Sequence, residues 1–242
     1  MMKINQPVFG RHLGQGRVAA FFCVILIIAS PAVVQAHPPS WDVSIFRSVN
    51  DARSPFLTTT LGASDNLVLP IAIGAPLVFA GVGLAQNNAY TFDTGAIIGV
   101  TDVLAYVLYY PIKNYIVKRP RPYVALTGVH TGHLDSADKY SMPSGHTTAA
   151  FALATALTLR YPKPYVYIPA YAWAAVVGYG RMYWGLHYPS DVLAGALLGT
   201  ASAFAIHMIA PQISKLREQI LGRDIGIQLA AAPTALSLRV TF

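Results

Sequence analysis

The sequence predicts an all-α, membrane-embedded helical bundle, and three observations carry that reading. First, 54% of the 242 residues are hydrophobic and only 11% are charged. Soluble domains carry about 25% charged residues, so this chain has too few to cover a water-facing surface, and its mean hydropathy is +0.46. Second, the apolar residues gather into continuous runs, close to the roughly 20 residues that cross a hydrocarbon core of about 30 Å. Third, the basic excess, Lys+Arg 17 against Asp+Glu 10, lies between those runs and forms no single polar face. Membrane topology accounts for that distribution, and nucleic-acid binding does not.

The first run, "VAAFFCVILIIASPAVVQA", follows Lys3, Arg11 and Arg17. It reads equally as a signal peptide, with Val34 and Ala36 as a small-residue cleavage site before His37, or as a retained first transmembrane helix over 1–36. Cys23, the single cysteine, excludes an internal disulfide framework and is an apolar filler here. The segment "WDVSIFRSVNDARSPFLTTTLGASDN" has the mixed polarity of an interfacial helix. Five further runs then read as spans: Leu67–Ala85, Thr94–Tyr115, Thr147–Leu159, Tyr165–Tyr179 and Val192–Ile209. With the N-terminal run they make about six spanning helices, and the bundle domain extends over 37–211. The remainder, 212–242, reads as a short tail without fixed structure. The alternation in "LSLRVTF" is strand-like, but one strand cannot close a barrel.

Alternating passage puts Lys3, Arg11 and Arg17, then Arg160 and Lys163, then Lys215, Arg217 and Arg223 on the cytoplasmic side. The opposite face receives the loop 116–142 and the turn 182–190. Lys118, Arg119, Arg121 and Arg181 lie there, against the positive-inside rule. A bound anion is a physical reason for that exception.

Three pieces converge on this outer face. "IKNYIVKRPRPYV" packs Lys113, Lys118, Arg119 and Arg121 at the end of one span, and taken alone could be basic residues reaching lipid headgroups. In "SMPSGHTTAA", Ser144 is a good N-cap and Gly145 admits close approach. The helix start therefore offers backbone N–H groups to an anion, with His146 as a titratable donor beside them. In "GRMYWGLHYPSDVLAG", His187 and Asp191 stand four residues apart behind Arg181. A carboxylate beside an imidazole sets its tautomer and raises its basicity, though such a pair alone often only ties two helix ends. Together these groups suit phosphoryl transfer. Cations and N–H groups hold the non-bridging oxygens, one imidazole attacks phosphorus, and the other protonates the leaving oxygen.

The order Lys…Arg-Pro, Pro-Ser-Gly-His, Arg-x5-His-x3-Asp, from Lys113 to Asp191, resembles the type 2 phosphatidic acid phosphatase family, which shares its active site with vanadium haloperoxidases. The resemblance implies that His187 forms a phosphohistidine and that Asp191 orients it. It implies His146 as general acid, and Lys113, Arg121, Ser144, Gly145 and Arg181 as phosphate ligands, with Arg119 as an extra contact. No metal or other cofactor is implied. This chain departs from the family pattern twice. Seven residues separate Lys113 from Arg121 where the family has six, and Gly180 stands where a serine usually precedes the arginine.

The expected function is metal-independent hydrolysis of a membrane lipid phosphate monoester or pyrophosphate. The bilayer is the partner, and the site faces the periplasm of a bacterial inner membrane. Undecaprenyl pyrophosphate, phosphatidic acid, phosphatidylglycerol phosphate and lipid A phosphates all suit it. The alternatives are a secreted soluble acid phosphatase or haloperoxidase on the same residues, and a membrane protein that only binds an anion or lipid. Among the remaining polar residues, His130 and His133 with Asp135 or Asp138 have a spacing that could hold a metal, but loop histidines near an anionic surface are commoner. Asp102, inside a span, is expected to hydrogen-bond within the bundle. Trp173, Tyr179, Tyr183 and Trp184 suit an interfacial aromatic belt.

Overall fold

The computed structural model describes residues 38–132 and 139–222 and the strands 226–232 and 235–241. The run 1–36 lies outside the described residues. Helix α1 (Ser40–Asn50) leads into α2 (Pro55–Ala85) and α3 (Ala89–Pro111). A π-helical turn, Ile112–Val117, continues α3, and the single turn α4 (Pro122–Ala125) follows. The bundle is completed by α5 (Gly145–Arg160), α6 (Pro164–Tyr183), α7 (Pro189–Met208) and α8 (Ala210–Leu221).

Local chemistry explains the boundaries. Ser54, Asn88 and Ser144 cap α2, α3 and α5, each accepting a hydrogen bond from the backbone N–H three residues on. Proline opens α2, α6 and α7 in the first turn, where its missing N–H costs nothing. The Ser54-Pro55 start corrects one expectation. The polar stretch before Leu67 belongs to the same helix as the span, and only 40–50 forms a separate amphipathic helix. Among the described residues, three helices are long and apolar enough to cross a membrane: Pro55–Ala85, Ala89–Val117 and Pro189–Met208. The shorter α5 and the aromatic-rich α6 pack among them in the same bundle.

Helix α5 runs through the centre, packed against α2, α3, α6 and α7. Its buried face is Ala and Thr with one leucine, Leu153, and small side chains let helices approach closely. The approach to α7 is tightest. A Cβ on Gly199 would lie 2.1 Å from the Thr148 carbonyl oxygen, and one on Gly195 2.6 Å from that of Ser144. This contact brings the two helix starts together, and Ser144 N donates to the Asp191 carbonyl at 3.0 Å.

Two further expectations are revised. Tyr183 and Trp184 are buried with Leu61 and Leu186, and Arg53 stacks over the Tyr183 ring at 4.0 Å, so these two do not belong to a lipid-facing belt. The C-terminal segment is structured as well. Helix α8 is tied to α3 by Arg217 Nε donating to Asp93 Oδ1 at 3.0 Å. The strand-like alternation near the end belongs to β2 (Ala235–Thr241), which pairs antiparallel with β1 (Gly226–Ala232).

Candidate active site

Helices α2, α3, α5 and α6, with the loop that precedes α7, line a cavity of about 540 Å³. Lys113, Arg121, Gly145, His146, Arg181 and His187 line one end of it. Val68, Leu69 and Ile73 of α2 and Val103 and Tyr106 of α3 line the apolar remainder. Six of the residues that sequence motifs single out therefore line one cavity, although they come from three separate segments.

The π turn explains the extra residue between Lys113 and Arg121. Pro111 has no N–H to continue the helical ladder. The turn closes instead with Lys118 N donating to the Lys113 carbonyl five residues back, at 3.2 Å. Lys118 ends it in the left-handed conformation, φ 51°. A π turn absorbs one residue more than an α turn, so Lys113 and Arg121 reach the same cavity despite the longer spacing.

His187 sits in the loop between α6 and α7, 1% exposed. Its Nδ1 is 3.6 Å from Asp191 Oδ2, and its Nε2 is 3.3 Å from Arg121 Nη1. Its backbone N–H donates to the Arg181 carbonyl at 3.2 Å. Burial, then the charges of Arg121, Lys113 and Arg181, hold the imidazole pKa well below its ordinary value of 6.5. The ring is therefore neutral with a free electron pair at neutral pH. Asp191 is fully buried and well held: Oδ2 accepts from Tyr188 N at 2.8 Å and Oδ1 from Arg119 Nη1 at 2.9 Å.

Not every expected phosphate ligand faces the cavity. Arg119 is turned away, stacked on Tyr188 at 4.3 Å and bonded to Asp191, Ser190 and Asp42. Ser144 is fully buried, and its hydroxyl caps α5 by accepting from Thr147 N and Thr147 Oγ1. A side chain at Gly180 would face Leu61, with its Cβ 3.7 Å from that of Leu61. The serine hydroxyl expected there would accordingly stand beside Leu61, and Gly180 is not among the residues that line the cavity.

Two carboxylates that sequence reasoning missed support the site from behind. Asp42 on α1 is fully buried and accepts from Arg119 Nη2, Ser190 N and Ser190 Oγ. Asp65 on α2 accepts from Arg181 Nη1 through both oxygens, at 2.5 and 2.7 Å. Neither lies within a motif, and their partners are far away in sequence, so spacing gave no signal. Asp102 also departs from expectation. Neither carboxyl oxygen has a hydrogen-bond partner among the described residues, and the residue forms part of the cavity wall. His130 is exposed, 3.9 Å from Asp51, while His133, Asp135 and Asp138 lie outside the described residues. Among the described residues, no group of three His, Cys, Asp or Glu gathers to hold a metal ion.

Residues 94–215, half of the chain, match the family model described as the PAP2 superfamily. An undecaprenyl-diphosphatase of Sulfolobus acidocaldarius is 34% identical over 110 residues, 44% of this chain and 52% of that one. A lipid A 4'-phosphatase of Bacteroides thetaiotaomicron is 35% identical over 75 residues, 31% of this chain and 33% of that one. This chain thus spans about half the length of the first curated relative and a third of the second. Among solved structures, the transmembrane PAP2-type phosphatidylglycerolphosphate phosphatase from Bacillus subtilis superposes with a TM-score of 0.61 at 26% identity. That match covers 81% of this chain and 96% of the other. With the three motifs gathered on one cavity and the family model matched across them, this chain belongs to the PAP2 superfamily and is a membrane-embedded helical protein.

Proposed function

We propose that this protein is a lipid phosphate phosphatase of a bacterial inner membrane, with its site facing the periplasm. The observation that carries the reading is His187, a neutral imidazole between Asp191 and Arg121 on a cavity that also presents Lys113, Arg181 and His146. The two curated relatives described above are named as phosphatases of lipid phosphates or diphosphates, which supports the same class of reaction.

The geometry suggests a two-step displacement. The phosphoryl group sits among Lys113, Arg121, Arg181 and the N–H groups at the start of α5, whose positive charge offsets that of the non-bridging oxygens. His187 Nε2 donates its electron pair to phosphorus, and the bond from phosphorus to the leaving oxygen breaks. His146, whose pKa is lowered to about 4 in the free protein by burial and the charge of Arg181, is protonated as the anionic phosphate docks beside it and gives that proton to the leaving oxygen. The Asp191 carboxylate, 3.6 Å from Nδ1, stabilises the cationic ring of the phosphohistidine by its charge. Water then attacks phosphorus and gives a proton to His146. The P–N bond breaks, inorganic phosphate leaves, and both histidines return to their starting states. The lipid chain lies along Leu69, Ile73 and Val103, which are exposed on the outside of the bundle.

The test is phosphate release in detergent with excess chelator, for the unmodified protein and for His187→Ala. Release that persists with chelator and disappears in His187→Ala supports the reading. A chelator-sensitive activity overturns the metal-free mechanism, and full activity in His187→Ala overturns the nucleophile.

A further inference from the structure

Four residues on one side of α3 and its π turn line the cavity in sequence: Asp102, Tyr106, Tyr109 and Lys113. Their spacing of four, three and four puts them on one helical face. Such a stripe gives a lipid-binding cavity a polar edge that runs inward from the phosphate end, and Asp102 is its innermost member. From Asp102 to Lys113 the helix rises about 16 Å. The lysine side chain leans toward the N-terminal end of its helix, the end where Asp102 lies, and shortens that gap.

The carboxyl group of Asp102 is in an unusual state. Both oxygens are shielded from solvent and neither has a hydrogen-bond partner. A buried polar group without a partner is destabilising, and an ionisable group within a membrane span is more so. No described protein group supplies the missing bond, and Asp102 borders the cavity. A molecule in that cavity becomes a source of a partner once the carboxyl group turns toward it.

We propose that Asp102 recognises the substrate. It accepts a hydrogen bond from a hydroxyl or amide N–H that the lipid carries a few atoms below its phosphate. A carboxyl group accepts such a bond whether ionised or protonated. The inference rests on the phosphatase reading above and narrows it. The favoured substrates are lipid phosphates with amide or hydroxyl groups near the head. Polyprenyl phosphates, whose chains are hydrocarbon, and diacylglycerol phosphates, whose esters only accept, have no such donor. Discrimination of this kind is strong, because a lipid without the donor leaves the carboxyl group unpaired.

The experiment compares phosphate release from ceramide 1-phosphate, which has an amide N–H and a hydroxyl, with release from phosphatidic acid of equal chain length and from undecaprenyl phosphate. It uses the full chain in detergent. The expected result is a preference for ceramide 1-phosphate of about tenfold or more in kcat/KM. Asp102→Leu removes this preference by lowering kcat/KM on ceramide 1-phosphate relative to the other two lipids. Asp102→Asn, which also accepts, keeps most of the preference. If Asp102→Leu does not fold, the comparison among lipids on the unmodified protein and Asp102→Asn still decides. Equal rates on all three lipids, or a preference that survives in Asp102→Leu, overturn the inference while leaving the phosphatase reading intact. No release from any lipid overturns that reading, and this inference with it.

Discussion

Asp42 and Asp191 share one guanidinium. Arg119 donates through Nη2 to Asp42 Oδ2 at 2.5 Å and through Nη1 to Asp191 Oδ1 at 2.9 Å, and all three side chains are buried. The short helix α1, which crosses no membrane, is in this way connected to the carboxylate that faces His187. Ser190 closes the network, accepting from Arg119 and donating to Asp42.

Removing one member of a buried ion network leaves the rest uncompensated. Asp42→Asn is therefore expected to slow turnover about tenfold or more by loosening Arg119 and Asp191. KM should change little, because Asp42 does not line the cavity. Asp42→Glu should recover part of the rate. The pH profile of kcat separates this from a general loss of fold: loosening Asp191 beside His187 moves the profile, whereas a lower active fraction leaves it in place.

The pH dependence follows from His187. Its folded pKa lies well below 6.5, so protonation of the free protein favours the unfolded chain. This group's contribution to stability is complete above pH 6.5 and diminishes as pH falls from there toward the folded value. For the same reason the proposed nucleophile stays unprotonated at pH 6. Removing a neighbouring positive charge, as in Arg121→Gln, should move the acid limb of kcat/KM to higher pH. A limb that stays in place would show that Arg121 does not control this ring.

Arg181 connects Asp65 to the cavity through a two-oxygen contact. Lysine has the charge but lacks the planar fork. Arg181→Lys should lower kcat/KM on a lipid phosphate by roughly 10- to 100-fold, about 1.4–2.8 kcal/mol of lost transition-state binding. Retention of full activity would mean that charge alone suffices there.

Gly199 and Gly180 make opposite predictions. Gly199→Ala would drive a methyl group into the Thr148 carbonyl, so it should lower the thermal unfolding temperature in detergent, at a cost of about 1–3 kcal/mol. Gly180→Ser, by contrast, meets only ordinary contacts beside Leu61. It should leave activity within about twofold, despite restoring the usual family residue, and a large gain would place that hydroxyl in the reaction.

The sequence by itself determined the class of fold and which residue types gather at the site. Hydrophobic runs long enough to span are dictated by the solvent they face, and that information is local. So are the helix starts at Ser144 and Pro189 and the spacing from Arg181 to Asp191, because caps and short separations act within a turn or two. Tertiary structure decided which of these residues look into the cavity. Arg119 and Arg121 are two residues apart, yet one anchors Asp191 from behind and the other stands beside His187 Nε2. That difference depends on a π turn and on Asp42, 77 residues away from Arg119 in sequence. Asp65, Asp102 and the burial of Tyr183 were beyond sequence reading for the same physical reason. Their surroundings are made by helices distant in the chain, and only packing reveals whether a carboxylate has a partner.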